Sequence, residues 1–111
     1  MKLAIIGSRK LKQIKIDDYI PQGVSEIVSG GAIGVDTLAK EYANRNGVKL
    51  TEFLPNYHLY QKVAPLKRNE EIAKYADEAP AFWDGKSHGT AYTIRLFRKY
   101  HKKVTVIIPI Q

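Results

Sequence analysis

Hydrophobic positions along the chain fall into short runs that alternate with amphipathic stretches. Leu3-Ala4-Ile5-Ile6 is a continuous apolar run closed by Gly7-Ser8, the pattern of a strand buried on both faces. Ile14 to Ile20, stopped by Pro21, predicts a short helix. Ile27-Val28 leads into Ser29-Gly30-Gly31, a second strand ending in a glycine turn. From Ile33 to Asn46 the period becomes helical, with Val35, Leu38, Ala39, Tyr42 and Ala43 on one stripe and Asn46-Gly47 as the stop. Val48 to Leu54 predicts a third strand, ended by Pro55.

The stretch Asn56 to Ala64 has no clear period and reads as a loop. Pro65 suits the first turn of a helix running to about Ala76, with Asn69, Ile72, Ala73 and Ala76 on one face. Ala79 to Trp83 is a fourth buried strand, broken by Asp84-Gly85-Lys86-Ser87. Ser87 is the expected N-cap of a helix from about His88 to Lys102. Val104 to Ile108, closed by Pro109, is the fifth strand. Strict alternation of strand and helix predicts one α/β domain over residues 1–111: a three-layer α/β/α Rossmann-like sandwich with about five mainly parallel strands.

Composition narrows the function classes. With 44% hydrophobic residues, 26% charged residues and no apolar run of membrane-spanning length, the sequence describes a soluble core. It has no cysteine, which excludes disulfides, thiolate metal sites and Cys nucleophiles. The first residues turn polar too quickly for a secretory signal, so the expected location is cytoplasmic. The net charge of +7 is uneven: residues 1–15 hold five bases and no acid, residues 16–60 three bases against six acids, and residues 61–111 ten against five. That balance favours an anionic ligand, either a phosphate-bearing small molecule or a nucleic acid.

Candidate chemistry gathers at three turns. Ligands of open parallel sheets bind beyond the carboxyl ends of the strands, and three such turns carry glycine here. The first is Gly7-Ser8-Arg9. The second is Ser29-Gly30-Gly31-Ala32-Ile33-Gly34-Val35-Asp36, where glycines let backbone approach a ligand and the next helix offers its N-terminus to an anion. The third is Asp84-Gly85-Lys86-Ser87-His88-Gly89-Thr90, in which Gly89 weakens a helix start by roughly 1 kcal/mol relative to Ala. Arg9, Arg68, Asn69 and Asp36 are expected at the same edge, the arginines as planar forks for phosphate. The expected ligand-binding set is therefore Gly7, Ser8, Arg9, Ser29, Gly30, Gly31, Gly34, Asp36, Asn69, Asp84, Gly85, Ser87, Gly89 and Thr90.

Other constellations are weak. G-x-G-x-x-G does not occur, and Gly85-Lys86-Ser87 spells only the end of G-x-x-x-x-G-K-[ST], with Pro80 where that loop has its first glycine. Although Gly85-Lys86-Ser87-His88-Gly89 spells G-x-S-x-G, neither a nucleoside-triphosphate loop nor a serine hydrolase is expected. His58, His88 and His101 are scattered away from metal-ligand spacing, so no metal and no cofactor are expected. Trp83 at a strand end, and Tyr57 and Tyr60 in the loop, are either core cover or stacking surfaces.

At these turns the sequence resembles the SLOG superfamily, the Rossmann-like group that links the Smf/DprA DNA-processing proteins to the LONELY GUY phosphoribohydrolases, and most of all its small YspA-like branch. The resemblance runs through Ile6-Gly7-Ser8-Arg9, Ser29 to Asp36, Arg68-Asn69, Asp77, Ala81-Phe82-Trp83-Asp84-Gly85 and Ser87-His88-Gly89-Thr90. It implies a pocket for a nucleotide or nucleotide-derived ligand, of the sensor or carrier kind. LONELY GUY enzymes cleave a nucleoside monophosphate at its N-glycosidic bond with an arginine and a glutamate. Arg68 matches that arginine and Gly89-Thr90 match the G-T of the family's phosphate motif, while Thr93 stands where the motif has its catalytic glutamate. A hydrolase would therefore rely on Arg68 with Asp84, or Asp36, as the acid. The DprA-like branch implies a further alternative, single-stranded DNA bound by Arg9, Lys10, Lys12 and the stretch from Arg95 to Lys103. An interaction module that has lost its ligand is the blandest reading. In it Tyr92, Leu96 and Tyr100 form either core or the face of a homo-oligomer.

Overall fold

The computed structural model describes residues 1–11, 13–31 and 33–109. Strand β1 (Lys2–Ala4) continues after Ile5 as β2 (Ile6–Gly7), and alternation along this path sets the layers. Leu3 and Ile5 enter one core, Ala4 and Ile6 the other, because successive side chains of a strand point to opposite faces. The remaining strands are β3 (Glu26–Ser29), β4 (Lys49–Glu52), β5 (Glu78–Phe82) and β6 (Lys103–Ile107). All pair in parallel, in the lateral order β4–β3–β1–β5–β6, with β2 carrying the central path on alongside β5.

Helix α1 (Val35–Asn46) covers one face and buries Val35, Ala39 and Ala43 against Leu3, Ile5, Ile27 and Phe82. Helices α3 (Ala64–Tyr75) and α4 (His88–Lys99) cover the other, where Ile72, Ala73, Ile94, Leu96 and Phe97 meet Ala4, Ile6, Val28 and Ala81. Full burial of Phe82 and Phe97 contributes about 1.5–3 kcal/mol each. The α/β sandwich read from the alternation of elements is the observed architecture. Tyr92 and Tyr100 pack against the α3–α4 core, and Leu96 is part of it.

Several boundaries differ from the sequence reading. The first strand is split, because pairing toward β3 ends with the Ile5 amide on the Val28 carbonyl and β2 then pairs only with β5. The region 56–64 is not a loop: Asn56 caps a one-turn helix, α2 (Tyr57–Tyr60), its Oδ1 accepting the Leu59 amide at 3.1 Å, and a 3-10 turn (Gln61–Val63) leads into α3. Its side chains are exposed or half-exposed, so the element has no apolar period to read. Ile14–Ile20 shrinks to one 3-10 turn, Ile16–Tyr19, and α4 stops at Lys99 rather than Lys102. Lys102 has another task. Its ammonium donates to the carbonyls of Ala73, Lys74 and Ala76 at 2.8, 2.7 and 2.6 Å, satisfying the end of α3.

Candidate functional site

The strand order reverses about the central β1–β2 path, and a cleft of about 770 Å³ opens at the carboxyl edge there. Of the expected ligand-binding residues, Gly7, Ser8, Arg9, Gly30, Gly31, Asp36, Asn69, Ser87, Gly89 and Thr90 line it, as does Arg68. Ser29, Gly34, Asp84 and Gly85 do not form its wall. Ala32 and Lys12 lie outside the described residues.

Ser8 ties the edge together. Its amide donates to the Phe82 carbonyl at 3.0 Å, its Oγ accepts the Asp84 amide at 3.3 Å, and the same Oγ lies 3.4 Å from Thr90 Oγ1. One buried hydroxyl thus fixes the ends of β2 and β5 and the start of α4 relative to each other.

The second turn serves the protein's own side chains first. A Cβ at Gly30 would stand 2.5 Å from the Arg68 guanidinium, which donates to the Gly30 carbonyl at 2.6 Å. Gly34 adopts φ +80°, and a Cβ there would meet the Arg9 carbonyl oxygen at 2.6 Å. The Gly31 amide donates to Ser29 Oγ at 3.2 Å. The room at Gly30 thus goes to Arg68, which brings its guanidinium to the cleft beside Gly30 and Gly31.

Arg68 enters from α3. Its Nε donates to Asn69 Oδ1 at 2.8 Å, so its two hydrogen-bond acceptors among the described residues are neutral groups. Burial lowers its pKa, while the charge of Asp36 pulls the other way and that of Arg9 adds to the fall. Arg9, Lys10 and Lys40 add cations to the wall, against Asp36 and Glu52.

The third turn is locked by Asp84. Its Oδ1 accepts the amides of Lys86 and Ser87 at 2.9 and 2.7 Å, and its Oδ2 accepts Ser87 Oγ at 2.8 Å. The Ser87 and Lys86 amides, with the Ser87 hydroxyl, hold this carboxyl far below the usual carboxylate range. A carboxylate so committed and off the cleft wall is badly placed for the acid role expected of Asp84. Ser87 stands at the N-cap position of α4, yet its hydroxyl serves Asp84 and makes no capping bond. The Trp83 indole N–H donates to the Ser87 carbonyl at 2.9 Å and its ring packs on the core, so Trp83 braces this loop. Gly89 differs from the other glycines on the wall in that a Cβ there would meet no atom within 4 Å.

A family model described as the YspA, cpYpsA-related SLOG family matches residues 1–60. The chain belongs to that family. No curated protein and no solved structure gives a significant match. SLOG membership supports a nucleotide-related binding role in general. The matched segment spans the first two turns of the site, and the third is supplied by the remainder of the chain.

Several wall residues of this SLOG domain were not singled out from sequence. Thr37 and Lys40 stand on the first turns of α1 close to Asp36, and the i, i+4 spacing of Asp36 and Lys40 was a readable sign that they share a face. Glu52, Pro55 and Pro65 come from the ends of β4 and α3, with no motif to mark them. Thr93 lines the cleft too, but its hydroxyl donates back to the Gly89 carbonyl at 2.9 Å. Asp77 lies away from the site and accepts the Lys2 amide at 2.8 Å.

Proposed function

We propose that this SLOG domain binds a nucleotide-derived anion, its phosphate held between Arg68 and the start of α4. The observation that carries the reading is Arg68: a half-buried guanidinium on the cleft wall whose hydrogen-bond acceptors among the described residues are the neutral Gly30 carbonyl and Asn69 side chain, with Asp36 as its nearby counter-charge. An anion placed there gains a charge-assisted contact strengthened by the partial burial of the guanidinium. Gly89 supports the same reading, since nothing in the fold requires a glycine at that helix start. Thr93 stands where the related hydrolases carry their catalytic glutamate and Asp84 is held by its own loop, which leaves Asp36 as the acid on the wall that glycosidic hydrolysis would need, so binding in a sensor or carrier role is the preferred reading.

The test is thermal unfolding with AMP, ADP-ribose and cyclic nucleotides, each at millimolar concentration. A ligand present at 100 times its Kd stabilises by about 2.7 kcal/mol. Wild type is expected to show a raised Tm with at least one of them, and Arg68→Ala to lose that rise. No rise with any of them overturns the proposal.

A further inference from the structure

We infer that the end of β4 and helix α2 form a subsite for an amino-bearing nucleobase, with Tyr57 as stacking platform and Glu52 as acceptor for the amino group. The inference rests on the anion reading of the cleft and extends it to the side of Arg68 away from α4. Exposed apolar side chains concentrate there: Ile33, Leu54, Tyr57, Leu59, Val63 and Leu66 all come from the turn after β3 or from residues 54–66. Of these, Ile33 and Tyr57 reach the cleft wall, together with Pro55. Tyr57 is 59% exposed and packs against neither core cluster. Helix α2 buries none of its residues, so its single turn, capped by Asn56, presents the ring at the cleft instead of covering core.

The sheet sets the spacing between the two ends of the cleft. In the lateral order, β4 lies two strand spacings, about 10 Å, from the central β1–β2 path. That is the reach from the phosphate of a nucleoside monophosphate to its base. Burial lowers the Arg68 pKa, while Asp36 and then Tyr57 oppose the fall, which puts Tyr57 within electrostatic reach of the guanidinium. A Cβ at Gly31 would run into Leu54 Cδ2 and stand 3.3 Å from Glu52 Oε2, so the missing side chain leaves room for both. Glu52 lines the wall with no hydrogen bond or ion pair of its own among the described residues. A carboxylate gains nothing from a phosphate; it accepts N–H donors, and the amino group of a base supplies them. An acyl chain would cover the apolar side chains but leave Glu52 unpaired, whereas a flat base with an amino group satisfies both.

The experiment is isothermal titration of wild type, Tyr57→Ala, Tyr57→Phe and Glu52→Gln with AMP, GMP, IMP and ribose 5-phosphate. Wild type should bind AMP or GMP at least about fivefold more tightly than ribose 5-phosphate, as stacking of the base requires. The same nucleotide should bind about tenfold more tightly than IMP, which lacks the amino group. Tyr57→Ala should lose at least about fivefold for that nucleotide, with Tm and ribose 5-phosphate affinity unchanged. Tyr57→Phe keeps the ring and should bind like wild type, and Glu52→Gln should erase the preference over IMP. Equal wild-type affinity for ribose 5-phosphate and all three nucleotides overturns the subsite while the anion reading stands, as does undiminished nucleotide binding by Tyr57→Ala. Equal binding of IMP, or a preference that survives in Glu52→Gln, overturns the assignment of Glu52. Binding of none of the four, ribose 5-phosphate included, overturns the anion reading and the subsite with it.

Discussion

Replacing Gly89 with alanine separates what the fold requires from what a ligand would require. Gly89 is the second residue of α4, it is absent from the residues with positive φ, and a Cβ built on it meets nothing within 4 Å. Alanine is therefore accommodated without strain. In a helix interior the change is worth roughly 1 kcal/mol, and about half of that is a fair value for the first turn. At about 4–8 °C per kcal/mol for a domain of this size, Gly89→Ala should raise Tm by about 2–4 °C. The methyl group should at the same time stand between an anion and the amides at the start of α4. Any nucleotide that stabilises wild type is expected to bind the variant at least tenfold more weakly, a loss of about 1.4 kcal/mol. Urea unfolding with an unchanged m value checks the first effect, and isothermal titration with the same nucleotide checks the second. A lowered stability would refute the openness of the position. Raised stability with undiminished affinity would refute the idea that a ligand approaches there.

Two further predictions concern the fold. Lys102→Met removes the donor to three carbonyls at the end of α3 and should cost about 1–3 kcal/mol in urea unfolding, with Arg as the partial rescue. The second is a pH dependence set by Glu26, buried at the start of β3, where the Tyr75 hydroxyl and then Thr51 donate to its carboxylate and lower its pKa. A carboxyl depressed in the folded state favours folding above its unfolded pKa, and that contribution is lost as pH falls through the folded value. The urea midpoint should therefore drop on acidification below the ordinary carboxylate range. In Glu26→Gln the drop should be smaller; an unchanged acid limb would count against this assignment.

Residues 1–109 show what local pattern can and cannot encode. Runs such as Leu3 to Ile6 and the stripe Val35, Ala39, Ala43 are legible because burial imposes a period of two or 3.6 on neighbours in sequence. Glycine turns mark where strands end, so part of the cleft wall could be named from residues alone. Purposes were less legible than positions. Gly30 accommodates Arg68 from 38 residues away, Asp84 spends its carboxylate on its own loop, and α2 depends on one cap without a buried face. Local propensity and hydrophobic period act between residues a few positions apart, and they determined the order of layers. Which hydrogen bond each polar group takes is settled only when distant segments meet, and that competition decided which side chains face the cleft.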